Sequence, residues 1–441
     1  MAHRETLYHV AVLSNFARGF DKYALSYSKA GIPESTYPDR FFLLRHEELA
    51  IGIAKATPLL HKLALDGNRL IVLRTEVDSE VLHENTRNGK GRFVQSDRIA
   101  LAGLHELAED GHTLRPIEAE DAMADSLRML QSAFHDFADI VPRSVSFLPI
   151  AMACQARCAF CFSKASISSD QSQVRVDWDK VAYWLDRARA EGAERAVITG
   201  GGEPTLLPRH SLERLVAESG ARFSKVVLIT NGHVLAVAPE AGRIERLQAL
   251  HDAGLRVLAI SRHHFDDARN LELMQLATPV AQLLASWHEH RVRWPLLRLR
   301  LICVLQQGGV QDRDTLVSYL DWAVAQGVPE ICFKELYVST SAESLYHDRQ
   351  ANAWSRAHQV SLSLVTDFAH EQGFTLHERL PWGAPVYGGN WKGRSLRIAA
   401  YTEPSLFWER SHGVARSWNV LADGRCYVSL EDRASQLHEE I

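Results

Sequence analysis

Long apolar runs are missing from this chain. None approaches the roughly 18 residues that a membrane-crossing helix needs, and the opening Met1-Ala2-His3-Arg4-Glu5-Thr6 leads into no signal-peptide core. An excess of positive charge is missing too. The 49 Lys and Arg stand against 54 Asp and Glu, a formal net charge of -5, so neither a nucleic-acid groove nor an anionic membrane is an attractive partner. Cysteine is sparse, at six among 441 residues, and Cys303, Cys332 and Cys426 are scattered singly. That excludes a disulfide framework and leads us to expect a reducing compartment and a cytoplasmic location. Repeats and low-complexity tracts are absent. What is present is ordinary: a hydrophobic fraction of 46% suits a soluble globular protein with ample core, and the length implies two or three domains.

The other three cysteines are not scattered. Cys154, Cys158 and Cys161 fall at C-x3-C-x2-C spacing within Ala153-Cys154-Gln155-Ala156-Arg157-Cys158-Ala159-Phe160-Cys161-Phe162. Three thiolates so close in sequence can converge on one metal centre, a spacing not expected of independent core cysteines. Zinc needs a fourth ligand, and the next candidates, His210 and His233, are far along the chain and form no paired knuckle. An iron-sulfur cubane with one exchangeable iron is the better match.

Around this stretch the chain divides into three. Residues 1–140 read as an α+β accessory domain of unassigned role, with short strands at 41–44 and 70–73, helical spacing over 47–65, a polar loop at 83–93 and a linking helix over 121–140. From 143 to 373 strand and helix alternate. Strands are expected at 144–152, 195–199, 225–229, 256–260, 297–305 and 330–336, and helices at 178–191, 212–219, 241–253, 271–288, 312–326 and 351–372. Such alternation implies parallel strands with helical crossovers. Six units leave a partial (β/α)6 barrel or a doubly wound sheet. Residues 374–441 are loop-rich and contain a hairpin on Asp423-Gly424, read as a small cap over the mouth.

In either geometry functional groups collect at the carboxyl ends of the strands. The cysteines follow the first strand, Gly200-Gly201-Gly202-Glu203-Pro204 the second, Thr230-Asn231-Gly232 the third, and Ser261-Arg262-His263-His264 the fourth. On the fifth, Leu297-Arg298-Leu299-Arg300-Leu301-Ile302-Cys303 alternates strictly. Its leucines must meet the helices, so Arg298 and Arg300 point into the arc. A guanidinium there needs an anion, either a ligand's or an acidic side chain's. Of Lys334 and Glu335, on opposite faces of the sixth strand, one should face inward.

Placed on adjacent strand ends, the cysteine spacing with Phe160 before the last cysteine, and Gly201-Gly202-Glu203-Pro204 some 40 residues on, resemble the two best-known signatures of the radical S-adenosylmethionine (radical SAM) superfamily. The resemblance covers about 143–340. It implies an α/β partial barrel, a single 4Fe-4S cluster on Cys154, Cys158 and Cys161, and S-adenosyl-L-methionine chelated at the open iron. Reductive cleavage would yield a 5'-deoxyadenosyl radical that takes hydrogen from substrate, with flavodoxin or ferredoxin as electron donor. Gly201, Gly202, Glu203 and Pro204 would approach the cofactor's methionine part, Asn231 and Ser261 would lie near it, and Arg298 and Arg300 could meet its carboxylate.

His263 and His264 are candidate substrate contacts, and Cys426 is a candidate hydrogen-atom donor. Auxiliary clusters carried by many relatives need more cysteines than this tail has, which favours redox-neutral outcomes such as epimerisation, dehydration or rearrangement. The leading expectation is a small polar substrate of sugar, aminocyclitol or nucleoside type. Its rivals are a peptide maturase that docks a precursor peptide on 1–140, and a non-catalytic iron-sulfur sensor or scaffold.

Overall fold

The structure is a computed structural model. It describes residues 4–12, 20–21, 24–26, 40–44, 70–84, 92–95, 98–107, 113–122, 124, 135–150, 154–161, 176–338, 349–404 and 406–439. They fall into two compact units, 1–134 and 135–441.

In the first unit the described regular structure is almost all strand. Arg4–Val12, Leu70–Asp78, Gly103–Leu107 and Leu114–Pro116 form an antiparallel sheet in that order. Its inner face and neighbouring short strands bury Leu7, Leu43, Ile71, Leu73, Ile99 and Leu104 together. The strands expected at 41–44 and 70–73 are here. The helix expected over 47–65 lies outside the described residues, as does much of the one over 121–140.

The second unit is organised by six strands: β1 (Val145–Leu148), β2 (Ala196–Ile198), β3 (Val226–Thr230), β4 (Leu255–Ser261), β5 (Arg298–Val304) and β6 (Glu330–Lys334). Each pairs in parallel with the next in chain order. A doubly wound sheet would reverse direction at a switch point, so the monotonic order decides for the partial barrel.

Helical crossovers return the chain each time: α1 (Trp178–Ala190), α2 (Arg209–Arg222), α3 (Glu240–Asp252), α4 (Asp267–Met274), α5 (Val280–His290) and α6 (Arg313–Ala325). Asp177, Asp266 and Asp312 accept the third-position amide at the starts of α1, α4 and α6, which fixes where those helices begin. The single helix expected over 271–288 is two. Gln275 adopts a left-handed φ of 50° as the cap of α4, and Pro279 precedes α5. The helix expected over 351–372 is likewise split into α7 (Arg349–Ala357) and α8 (Ser363–Glu371).

Side-chain parity divides the sheet into two faces. Phe147, Ile198, Leu228, Leu258, Leu299, Leu301, Cys303 and Phe333 pack in the main core with Trp184, Leu215, Leu250, Leu283 and Leu320 of the helices. Val197, Val227, Ile229, Val257, Ala259, Ile302 and Cys332 form a separate cluster on the lumen face.

The tail, expected as a small cap, is hydrogen-bonded into the barrel's own sheet. After β7 (Thr375–Arg379) and β8 (Pro385–Trp391), β9 (Arg394–Tyr401) joins β6 in parallel, while β10 (Trp418–Leu421) joins β1 in parallel and leads through the Asp423-Gly424 turn to β11 (Cys426–Tyr427) and β12 (Gln436–Leu437). The tail thus extends both edges of one twelve-stranded sheet. Capping an open arc's two edges satisfies backbone groups that would otherwise face solvent. No helix among the described residues is long and apolar enough to cross a membrane.

Candidate functional site: the carboxyl ends of the strands

The three clustered cysteines sit on the loop after β1. Cys154 is exposed and Cys161 half-buried, whereas Cys158 is buried with its Sγ 3.8 Å from the Met274 carbonyl. The Arg157 amide donates to the same carbonyl at 2.9 Å, so the loop is pinned to the end of α4. Phe160 secures it further, meeting the His263 ring edge-on at 5.0 Å. Partial burial pushes the Cys154 thiol up, and Cys161 is close enough to add to that rise by repulsion between thiolates.

The next loop explains its own composition. Gly201 has a φ of +96°, and a Cβ there would lie 2.7 Å from the Ile150 carbonyl oxygen, so only glycine fits between the first two loops. Glu203, buried, spends its carboxylate on the chain. Its Oε1 accepts from the Thr205 amide (2.9 Å), the Thr205 hydroxyl (2.6 Å) and the Thr230 hydroxyl (2.6 Å), and its Oε2 accepts from the Asn231 amide at 2.7 Å. Glu203 therefore ties the second loop to the third. Pro204, buried, opens a short 3-10 turn, and Gly202 is half-buried beside Gly201. Asn231 reaches the first loop in turn: its Nδ2 donates to Gln155 Oε1 at 3.2 Å and lies 3.8 Å from Cys154 Sγ.

Other candidates are placed elsewhere. Ser261 ends β4, and the parity of Val257 and Ala259 puts it on the lumen face at the mouth. His263 is buried, accepts from the Val304 amide at 3.1 Å, and is pushed down to about 3 by burial and the Arg262 guanidinium. It packs behind the cysteine loop as a neutral ring. His264 accepts from the Asp266 amide at 3.0 Å and stacks on Phe265, with burial lowering its pKa. The His264 ring serves the turn into α4, while the His263 ring ties that turn to the end of β5.

Arg298 and Arg300 do face away from the leucines, but they lie toward the amino end of β5, away from the cysteines. Arg298 is exposed, and Arg300 pairs with Glu330, Nε to Oε1 at 2.9 Å. Glu330 is the acidic side chain that meets Arg300. Cys426 is fully buried opposite Val420 and Leu437, in the helix-facing core and not the lumen, where burial raises its thiol pKa steeply. That places the thiol on the face of the sheet away from the lumen cluster of Val197, Val227, Val257 and Ile302.

A pocket opens on the lumen beside these loops. It encloses about 840 Å³, part of it open to solvent, and its walls include Ser146 and Leu148 of β1, Thr199 and Gly200 after β2, Ile229 of β3, Lys334 of β6, and Glu403, Glu409, Arg416, Ser417, Asn419 and Ser429 of the tail. Lys334 is thus the inward member of the Lys334-Glu335 pair. Its Nζ meets Glu403 Oε1 at 2.7 Å, while Glu403 Oε2 takes Arg416 Nε at 2.7 Å and the Tyr401 hydroxyl at 3.1 Å. Glu409 accepts from the Arg416 amide at 2.8 Å, and burial pushes its carboxyl up to about 7. The tail carboxylates and Arg416 have no signature in the sequence, because no periodicity marks them.

Residues 148–287 match the family model described as the radical SAM superfamily. These residues form a radical SAM domain. No protein of curated function matches it. Among solved structures it is similar to Streptococcus suis SuiB bound to S-adenosylmethionine, at 14% identity over 70% of this chain and 64% of that one, with a TM-score of 0.42. SuiB bound to its precursor peptide SuiA gives 14%, 73%, 66% and 0.43, and Escherichia coli coproporphyrinogen III oxidase (HemN) gives 13%, 55%, 58% and 0.35. The chain spans less than two thirds of the length of each.

Members of the radical SAM superfamily are enzymes that use a 4Fe-4S cluster and S-adenosylmethionine. The radical SAM barrel described above fits them. Three thiols share one loop at its mouth, beside a glycine backbone that no side chain could share, and the remaining Cys303, Cys332 and Cys426 sit apart on three strands.

Glu409 carries a testable consequence for stability. Its folded pKa, about 7, lies above the ordinary 4.5, so the folded state holds more protons between those values and stability falls as pH rises through them. Glu409→Gln keeps an acceptor for the Arg416 amide and has no charge to desolvate. Its stability relative to wild type should climb by on the order of 3 kcal/mol from pH 4.5 to above 7, read as the difference in denaturant midpoints. A flat difference would mean that Glu409 is ionised without penalty.

Proposed function

We propose that this radical SAM enzyme acts on a small polar molecule seated in the lumen pocket, with Cys154, Cys158 and Cys161 holding its one cluster. The observation that carries the reading is the pocket wall itself: hydroxyl and amide groups from Ser146, Thr199, Ser417, Asn419 and Ser429 around the charged Lys334, Glu403 and Arg416. Such a wall suits a hydroxylated or amino-bearing compound of sugar, aminocyclitol or nucleoside type better than an apolar one. When bound, the cluster and S-adenosylmethionine supply a 5'-deoxyadenosyl radical that removes a hydrogen atom from substrate, with a flavodoxin or ferredoxin as the source of the electron.

The chain's residues orient and enclose. Lys334 shares one side of its ammonium with Glu403 and stays a quarter exposed toward the pocket, which leaves it donors for a substrate oxygen. Glu409 offers a carboxyl that is half protonated near pH 7. With Cys303, Cys332 and Cys426 on separate strands, the described residues offer no set of thiols for a second cluster, which favours a redox-neutral outcome.

The test uses the full chain reconstituted with iron and sulfide, S-adenosylmethionine and a reductant, with 5'-deoxyadenosine as readout. Sugars, aminocyclitols and nucleosides are compared with synthetic peptides. A small polar compound should accelerate 5'-deoxyadenosine release, and Lys334→Met should raise its KM about tenfold, the worth of one charge-assisted hydrogen bond. Acceleration by peptides alone would replace this reading with that of a peptide maturase.

A further inference from the structure

Asn231 is held at three points, and each has a direction. Its backbone amide donates to Glu203 Oε2 at 2.7 Å, and its Oδ1 accepts from the His233 amide at 2.9 Å. Because the oxygen is taken by a backbone donor, the amide group cannot be turned over, and Nδ2 must face the cysteine loop. There it donates to Gln155 Oε1 at 3.2 Å and stands 3.8 Å from Cys154 Sγ. The same sulfur also receives a backbone hydrogen bond from Ala156. Asn231 is only 6% exposed, so water does not compete for these bonds.

We propose that Asn231 is a positioning residue that sets the reduction potential of the cluster by hydrogen bonding to the Cys154 thiolate. The inference rests on Cys154 being a cluster ligand. An N–H directed at a ligating sulfur stabilises the more negative, reduced state of a cluster and raises its potential. Glu203 gives the effect its rigidity: with the Asn231 backbone tied to a buried carboxylate, the amide cannot swing aside as the cluster gains charge. Few other donors could serve, since a longer side chain at 231 would overshoot the sulfur and a hydroxyl would not be locked in direction by the His233 amide.

The experiment compares wild type, Asn231→Ala and Asn231→Asp as reconstituted full-length chains. Iron and sulfide content, the midpoint potential by redox titration followed by electron paramagnetic resonance, and the affinity for S-adenosylmethionine are measured on each. Both variants lack the N–H; Asp keeps the acceptor for His233 and so protects the turn should Ala disturb it. The expected result is wild-type iron content with a cluster harder to reduce. At a fixed poise the ratio of reduced to oxidised cluster should drop threefold to tenfold in Asn231→Ala, tenfold being 59 mV for one electron, and further in Asn231→Asp. An unchanged midpoint overturns the proposal, and an unchanged midpoint with weakened S-adenosylmethionine binding reassigns Asn231 to the cofactor. A wild-type chain without iron, or Cys154→Ala retaining it, would instead sink the ligand assignment.

Discussion

Cys158→Ala is expected to leave a folded chain that binds no cluster and makes no 5'-deoxyadenosine. The two readings of this residue differ in kind, which makes the result decisive. As a buried small hydrophobe, at 8% exposure and packed against the Met274 carbonyl, it would lose one sulfur's worth of contacts, about 1 kcal/mol, and iron content and cofactor cleavage would stay. As one of three thiolate ligands it cannot be replaced from elsewhere, because the other cysteines of the chain are fixed on strands: Cys303 and Cys426 in the helix-facing core, Cys332 on the lumen face of β6. Iron and sulfide analysis, the brown absorbance and 5'-deoxyadenosine by chromatography should all fall to background while the thermal midpoint without iron shifts by only a few degrees. Retained colour or product in Cys158→Ala would contradict the ligand assignment.

The fold around this site is legible in the sequence, and the reason is local. The partial barrel shows itself through alternation, because every buried parallel strand must be apolar and every crossover helix amphipathic. The loops at the strand ends show themselves because Gly201 and Gly232, with φ of +96° and +74°, need glycine, and because thiol ligands are rarely anything else. Strict alternation on β5 also predicted correctly that Arg300 points inward, but parity says nothing of height along a strand, so its partner Glu330 and its distance from the cysteines were invisible.

The face on which Cys426 lies was hidden for the converse reason. Its hairpin was correctly expected on Asp423-Gly424, yet which face of a two-residue strand looks into the barrel depends on pairing with β10, a contact with no local signature. The pocket wall is the most remote from sequence: Lys334 and Glu403, 69 residues apart, meet only because β9 runs beside β6.

Glu203→Gln is expected to be the most damaging single-atom change in the second unit. The carboxylate of Glu203 accepts four hydrogen bonds, three at Oε1 and one at Oε2. Glutamine has one oxygen. If that oxygen takes the place of Oε1, the new amino group confronts the Asn231 amide, donor against donor, in a buried setting; if it is turned over, three donors lose their acceptor instead. Leaving one buried amide unsatisfied costs about 1–3 kcal/mol, and the surviving bonds weaken once their acceptor is uncharged. Together a loss on the order of 4 kcal/mol is expected, or roughly 10 °C in the midpoint of a unit this size.

The damage should also be local in a way that separates a brace from a mere core residue. Hydrogen exchange should accelerate at the amides of Thr205, Asn231 and Gly232, whereas strand amides such as those of Leu258 and Leu301 should slow or quicken only with global stability. Since Glu203 also fixes the backbone of Asn231, the cluster of Glu203→Gln should become harder to reduce, in the same direction as in the Asn231 variants. A Glu203→Gln chain with wild-type exchange at Asn231 and a wild-type midpoint would show that the second and third loops hold themselves in place, leaving the carboxylate free for the cofactor.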